Sequence, residues 1–254
     1  MKISNISGSN YYEQISSGYR INSAADDAAG LAISEKLQSQ ITEYKVSNQN
    51  ASAGQGLINV ADGALSNISD ALQRIRELGV QAGNASIYGK EGLSMIQDEI
   101  DELKESIQGI TKNTEYNTMK LLDGSNSKWH IASGGNGKDI SIPSTTLEAL
   151  GIANFDVTSS NFDIGAIDKA ISKVSSARSG LGANSNGLTH QMNYNSNASY
   201  HLEWAQSNKK DVDMPEVISE MKKGQLLDEY KLYMTKKQIE NNTNNQRRLF
   251  VGML

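Results

Sequence analysis

The chain has 254 residues, a net charge of −5, no cysteine and two prolines. The absence of cysteine excludes disulfides, thiolate metal sites and cysteine nucleophiles, and the negative charge gives a nucleic-acid partner no electrostatic support. No apolar run approaches the roughly 20 residues of a membrane span, so we expect neither nucleic acid nor membrane as a partner.

The first predicted element is a short turn that leads into a long helix. Ser23 and Asp26 have the spacing of a capping box, and carboxylates at Asp26 and Asp27 suit the positive end of a helix dipole. Gly30 is expected to end this turn. Apolar residues then recur every three or four positions, which predicts a helix over 31–81, roughly 75 Å long if it is continuous.

Glycines interrupt the pattern of this predicted helix. Gly54, Gly56 and Gly63 lie inside it, and each costs about 1 kcal/mol relative to alanine. Packing must therefore offset that cost if the helix is continuous.

A second helix follows the glycine-rich stretch 82–92, which we interpret as a connection. From residue 93 the apolar positions alternate spacings of three and four without a miss, and charged residues occupy the intervening positions. That pattern predicts an apolar seam with a solvated outer face. The seam residues are Leu93, Ile96, Ile100, Leu103, Ile107 and Ile110.

The central region changes character. Two short strand-like runs, 128–132 and 139–142, flank a Gly/Asn turn, which predicts a β-hairpin. Helical spacing returns over 164–202, with a weak point at "SGLGANSNG" (179–187). A last apolar pattern over 217–234 gives way to "KKQIENNTNNQRR", an asparagine-rich, charged sequence that forms a helix poorly alone.

These elements predict a mainly α fold, an elongated antiparallel helical bundle or coiled coil with a small β-hairpin insert. Each apolar face must be buried against another, and so thin a bundle is expected to associate laterally. Leu72, Ile75, Leu103 and Ile107 are predicted to take part in subunit packing. The expected segments are 1–30 (inner segment), 31–121 (first half of the bundle), 122–163 (hairpin and loop), 164–207 (returning helix) and 208–254 (final helix and tail).

The sequence contains no constellation typical of an enzyme. The histidines, His130, His190 and His201, lack the His-Glu-x-x-His spacing of a zinc protease. The carboxylates from Asp98 to Glu102 lie beside a regular apolar seam and are interpreted as a solvated face. We therefore predict no catalytic residue, no cofactor and no metal.

Long stretches of the chain resemble the bacterial flagellins. The N-terminal stretches are "ISSGYRINSAADDAAGLAISEKLQSQI", "NQNASAGQGLINVADGALSNISDALQRIRELGVQAGN" and "LSMIQDEIDELKESIQGITKNTEYNTMKLLDG". On the C-terminal side, "AIDKAISKVSSARSGLGANSNGLTHQMNYNSNAS" and "KDVDM" are similar to the returning half of the same domain. The resemblance covers most of 15–221 in family order, and the family's variable outer domains are absent.

The resemblance implies a structural subunit of the flagellar filament. Such a chain is exported unfolded through the flagellar export apparatus with the help of a chaperone, and it assembles outside the cell as a homopolymer. Both ends depart from the family pattern, because the first is short and "MTKKQIENNTNNQRRLFVGML" replaces an alanine- and glutamine-rich terminus. A minor flagellin-like or hook-filament junction protein is the alternative.

The resemblance also implies roles for individual residues. Arg20, Asp26 and Asp27 lie where neighbouring subunits crowd together in the family, and they are candidates for subunit packing. "QRIREL" and "QDEI" match the family segments recognised by Toll-like receptor 5 (TLR5), an innate immune receptor. That match points to Arg74, Leu78 and Glu99 as receptor contacts, on a face that also makes subunit contacts in filaments.

Overall fold

The computed structural model describes residues 6–133, 137–159 and 162–251. Within these ranges the chain forms long helices joined by a short central region with two small hairpins, and no helix is long and apolar enough to cross a membrane. The helices are α1 (Ile6–Ser17), α2 (Ala24–Ala82), α3 (Ala85–Asn113), α4 (Leu147–Leu150), α5 (Ile164–Lys210) and α6 (Met214–Val251). The strands are β1 (Glu115–Tyr116), β2 (Met119–Lys120), β3 (Lys128–Ile131) and β4 (Lys138–Ser141).

The chain divides into two compact units, whose limits fall inside α2 and α5. The chain-end unit consists of Met1–Ile41 and Tyr200–Leu254, and the middle unit consists of Thr42–Ser199. The chain-end unit thus joins segments that are far apart in sequence.

In the middle unit, α2 and α5 run antiparallel. Gln55 of α2 donates a hydrogen bond to the hydroxyl of Thr189 at 2.7 Å, and Arg76, further along α2, pairs with Asp168 at 2.6 Å. The residue numbers on α5 fall as those on α2 rise, which only an antiparallel arrangement allows. Helix α3 likewise turns back along α2, because Arg74 pairs with Glu99 and Gln81 with Tyr88.

One apolar core fills the middle unit. It combines side chains of α2, α3 and α5 with residues of the central region, including Leu122, Ile140 and Phe155. The apolar seams read from the sequence therefore do face one another, and the prediction of a mainly α, antiparallel helical fold with a small hairpin is confirmed.

Two hairpins belong to the central region. β3 and β4 pair antiparallel, with Trp129 opposite Ile140, which confirms the predicted hairpin; residues 134–136 of its turn lie outside the described residues. The smaller pair β1–β2 was not predicted. Its turn residues Asn117 and Thr118 have φ values of 50° and 64°, the left-handed combination of a type I′ turn.

The hairpins explain two of the glycines inside α2. A Cβ added at Gly54 would lie 3.1 Å from Cγ1 of Ile131 in β3 and 3.2 Å from Cδ1 of Leu188, and one at Gly56 would lie 3.3 Å from the hydroxyl of Tyr116. The missing side chains make room for the central region. Gly63 differs, because nothing lies within 4 Å of its hypothetical Cβ.

Helix boundaries are where the predictions fail. α3 begins at Ala85, inside the predicted connection, and its backbone breaks only at Gly89, where φ is 64°. The weak point at 179–187 does not interrupt α5.

The asparagine-rich tail, which is expected to form a helix poorly alone, is helical as the continuation of α6, which reaches Val251. Each asparagine costs only a fraction of a kcal/mol in a helix, and a helix that has already begun adds residues cheaply. Thr243 also donates its hydroxyl to the carbonyl of Ile239 at 2.8 Å, which keeps that side chain compatible with the helix.

Candidate functional site

Two segments near the chain ends meet in the chain-end unit. Tyr19 forms an isolated antiparallel bridge with Asp211, flanked by hydrogen bonds from the Arg20 amide to the Lys210 carbonyl at 2.7 Å and from the Val212 amide to the Gly18 carbonyl at 3.1 Å. These backbone bonds fasten the segment before α2 to the segment after α5.

The Arg20 side chain strengthens this junction. Its guanidinium donates to the Lys209 carbonyl at 2.7 Å, and the Lys210 ammonium lies 4.2 Å from the centre of the Tyr19 ring. A cation beside the last carbonyls of α5 is favoured by the helix dipole. The structure thus places the predicted packing residue Arg20 on a contact within its own chain.

Asp26 orders the turn before α2. Its Oδ2 accepts hydrogen bonds from the Ser23 amide at 2.9 Å, the Asn22 amide at 3.1 Å and the Ser23 hydroxyl at 3.1 Å. The backbone hydrogen bond from Ser23, followed by that from Asn22, holds the pKa of the Asp26 carboxyl below its ordinary value. The carboxylate half of the predicted capping box is therefore formed.

Asp27, rather than Gly30, marks the break before the long helix. Asp27 has the extended angles φ −161° and ψ 96°, and its Oδ1 accepts from the Gly30 amide at 2.8 Å. This is the bond of an N-cap residue to the third helical amide. Gly30 lies inside the first turn, where a Cβ would clash with the Asp27 carboxylate and with Cδ1 of Ile21.

The predicted seam residues lie inside the middle unit. Leu72, Ile75 and Ile107 have no exposed surface, and Leu103 is half-buried against the same core. Their contacts are made within one chain, so they hold the helices that carry any assembly surface.

The predicted receptor residues are split between surface and core. Arg74 and Glu99 are exposed and form an ion pair at 2.7 Å, to which Glu77 adds a second carboxylate at 3.1 Å. The hydrogen bond that Arg74 donates to Glu99, followed by the one it donates to Glu77, raises the pKa of Arg74. Leu78 is buried, with 2% of its surface exposed.

Sequence reasoning missed the ion pairs that join α2 to α5. Arg178 donates from Nε to Asp62 at 2.8 Å, and Arg76 pairs with Asp168. The partners are about a hundred residues apart, so no local spacing could reveal them. The available signal was Arg178, which occupies a position in the apolar repeat of α5. The aliphatic part of an arginine side chain can cover the seam while its guanidinium reaches the next helix.

α6 presents apolar side chains to solvent. Every described side chain from Gln225 to Gln246 is exposed, although α1 contacts this helix and Gln225 reaches the Tyr12 hydroxyl at 3.3 Å. The exposed stripe at three- and four-residue spacing is typical of a helix that packs against partners. Its members are Leu226, Leu227, Tyr230, Tyr233 and Met234.

No group of histidines and carboxylates suited to a metal ion occurs among the described residues. The hairpin histidine His130 contacts Asp139 across the strands at 2.7 Å, with both side chains exposed. The features that the described residues do form are the junction between the chain-end segments and the exposed stripe of α6.

Comparison with known proteins identifies the family. The bacterial flagellin N-terminal helical region matches residues 1–127, and the bacterial flagellin C-terminal helical region matches residues 164–246. The second match includes most of the tail that departs from the family pattern by composition.

Relatives match along most of the chain. Flagellin from Bacillus subtilis strain 168 is 39% identical, over 85% of this chain and 84% of that protein. The flagellar filament 33 kDa core protein of Treponema phagedenis is 35% identical, over 88% of this chain and 85% of that protein. The crystal structure of Bacillus cereus flagellin shares the fold, with a TM-score of 0.52 at 23% identity over 58% of this chain and 88% of that one. The chain belongs to the bacterial flagellin family.

Proposed function

We propose that this chain is a structural subunit of the bacterial flagellar filament and polymerises with copies of itself. The observation that carries the proposal is the match of both flagellin regions, in family order, at the two ends of one chain. The relatives that match over most of their length are flagellins and a filament core protein. They give the hook-filament junction alternative no support.

The packing of the chain supports this role. The apolar side chains of the middle unit are buried in a core formed by the chain itself, whereas the apolar stripe of α6 is exposed to solvent. Polymerisation covers this stripe, because burial of apolar surface is the main favourable term in association. Leu72, Ile75, Leu103 and Ile107 would act on assembly through the fold, and Arg20, Asp26 and Asp27 through the junction at the chain ends.

The test is electron microscopy of a motile strain whose own flagellin genes are deleted and which expresses only this chain. We expect long filaments, and antibody labelling should follow them along their whole length. Cells that carry the protein only as a short zone at the hook would contradict the proposal. Bald cells that contain the protein would contradict it too.

The partners named by the family resemblance stay predictions. Export through the flagellar apparatus with a chaperone predicts that the chain appears in the medium of a wild-type strain and stays in the cells of an export mutant. Recognition by TLR5 through Arg74, Leu78 and Glu99 predicts that purified monomer activates a TLR5 reporter cell. Reversal of the exposed pair, Arg74→Glu with Glu99→Arg, should remove that response, whereas an unchanged response would place recognition elsewhere.

A further inference from the structure

A groove runs along α5 beside the central region of the middle unit. Two adjoining depressions of about 440 and 450 Å³ share Ser172 and Lys173. The floor is formed by small or apolar residues of both elements, so the groove can accept a protruding apolar side chain. These residues are Ala166, Ser176, Ala177 and Gly180 of α5, with Pro143 and Leu150 of the central region.

The rim of this groove carries cations. Lys169 and Lys173 lie one turn apart on α5, and the Lys173 ammonium donates to the Ala149 carbonyl at 2.7 Å. Asp168 beside them is held by Arg76 at 2.6 Å. Glu148 of α4 is an exposed carboxylate near this rim. The two lysines therefore give the groove a basic edge.

α3 carries an exposed row of the opposite charge. The row repeats at spacings of four and three, which places its members on one helix face. Its second member is Met95, whose surface is 73% exposed although it is apolar. The members of this acidic row are Glu91, Met95, Asp98, Glu102 and Glu105, all exposed.

The two surfaces match in length as well as in charge. The acidic row spans 14 residue steps of α3, and positions 166 to 180 span 14 steps of α5, so each is about 21 Å long. Both repeat at three- and four-residue spacing, which lets the side chains of one helix fit between those of another. Met95, Asp98 and Glu102 have the same spacing as Ala166, Lys169 and Lys173 of α5. When the two carboxylates face the two lysines, the Met95 thioether therefore lies over the small residue Ala166.

We propose that the acidic row of α3 docks into the α5 groove of a second copy of this chain. The contact joins two different faces, so each copy keeps one free row and one free groove, and addition can continue without closure. That is the type of interface a filament requires. The inference rests on the proposed function and adds to it the surfaces that join one subunit to the next.

Charge reversal with complementation tests the contact. The first variant carries Asp98→Lys and Glu102→Lys, and the second carries Lys169→Glu and Lys173→Glu. Each variant alone presents like charges at the contact, so polymer recovered by sedimentation at low salt should fall by about tenfold or more. In an equimolar mixture, each variant presents the charge that the other needs, and polymer should return with the two chains present in equal amounts.

The controls separate folding from docking. Both variants should keep the far-ultraviolet circular dichroism of the wild type, and Lys169→Glu alone serves if the loss of the Lys173 hydrogen bond disturbs the central region. Glu35→Lys, an exposed reversal on α2, should polymerise normally. Wild-type polymerisation by either double variant, or failure of the mixture to recover, overturns the proposed contact while the filament function stands. Failure of the wild type itself to polymerise overturns both.

Discussion

The two compact units differ in how their apolar side chains are covered. In the middle unit, residues from Ala51 to Leu188 form one core, and many of them have no exposed surface. In the chain-end unit, Ile21 and Ile41 are the buried apolar residues among those described, while α6 exposes leucine, tyrosine, methionine and isoleucine over several turns.

The difference bears on the ability of each unit to fold alone. The burial of apolar side chains in a closed core offsets the conformational entropy that the chain loses on folding. Tertiary packing supplies most helix stability in proteins, and α6, which contacts α1 but leaves an apolar stripe exposed, gains less of it. We infer that the middle unit is stable in the monomer and that α6 gains its stability when copies assemble.

Truncation of one leucine in each unit should give the largest contrast. Leu72→Ala removes a fully buried side chain, and we expect the free energy of unfolding to fall by about 2–5 kcal/mol. Leu226→Ala, at a position that is 66% exposed, should change it by less than about 0.5 kcal/mol. Chemical denaturation of monomers, followed by circular dichroism, measures both. Equal losses would mean that the two units are packed alike.

Two glycines of α2 sharpen the account of the middle unit. Gly54→Ala places a Cβ against Ile131 and Leu188, and this overpacking should destabilise the monomer by about 1 kcal/mol after the gain in helix propensity. Gly63→Ala meets no neighbour and should stabilise it by about 0.5–1 kcal/mol. Thermal unfolding gives both signs. A Gly54→Ala variant as stable as Gly63→Ala would show that Ile131 and Leu188 do not pack closely against Gly54 of α2.

The β1–β2 turn contains a strained residue. Thr118 is β-branched and has a φ of 64°, a region that such residues rarely occupy. Thr118→Gly should raise the free energy of unfolding by about 1 kcal/mol, because relief of strain outweighs the extra freedom of glycine in the unfolded chain. Asn117→Gly is the matched control and should give a smaller gain, since asparagine tolerates this conformation. A loss of stability with Thr118→Gly would rule out the strain.

The smallest expected effect concerns acid stability of the turn before α2. The pKa of Asp26 is lowered in the folded chain by hydrogen bonds from Ser23 and Asn22. Its contribution is therefore complete above the unfolded pKa of about 4 and is lost as pH falls through the lowered folded value. Asp26→Asn should lower the melting temperature slightly at neutral pH and converge with the wild type in strong acid. A constant difference at all pH values would point to a cause other than ionisation.

The apolar periodicity of the sequence predicts most of the fold but few of the contacts between surface side chains. The seams through Leu72 and Ile100 could be predicted because a buried helix face leaves a regular mark in the sequence. Pairs such as Asp62 with Arg178 could not, because their partners are distant in the chain. The break at Asp27 also escaped prediction, since Gly30 is required by a close approach of the Asp27 carboxylate rather than by a turn.

The helical tail was missed for a different reason. Local composition disfavoured an isolated helix over 236–248, yet α6 starts earlier at Met214 and continues through that stretch. Propensity is a weak guide when a helix is already nucleated. The stripe of α6 is exposed in the described chain although α1 contacts the helix, and its exposure could not be predicted from its apolar spacing.

Hydrogen exchange of α6, measured in monomer and in polymer, tests the central claim most directly. In the monomer, amides from Lys222 to Gln246 should exchange quickly while those of α2 around Leu72 stay protected, since protection follows local packing. In the polymer, the α6 amides should become protected because neighbouring copies cover the stripe. Strong protection of α6 in the monomer, or none in the polymer, would contradict the account.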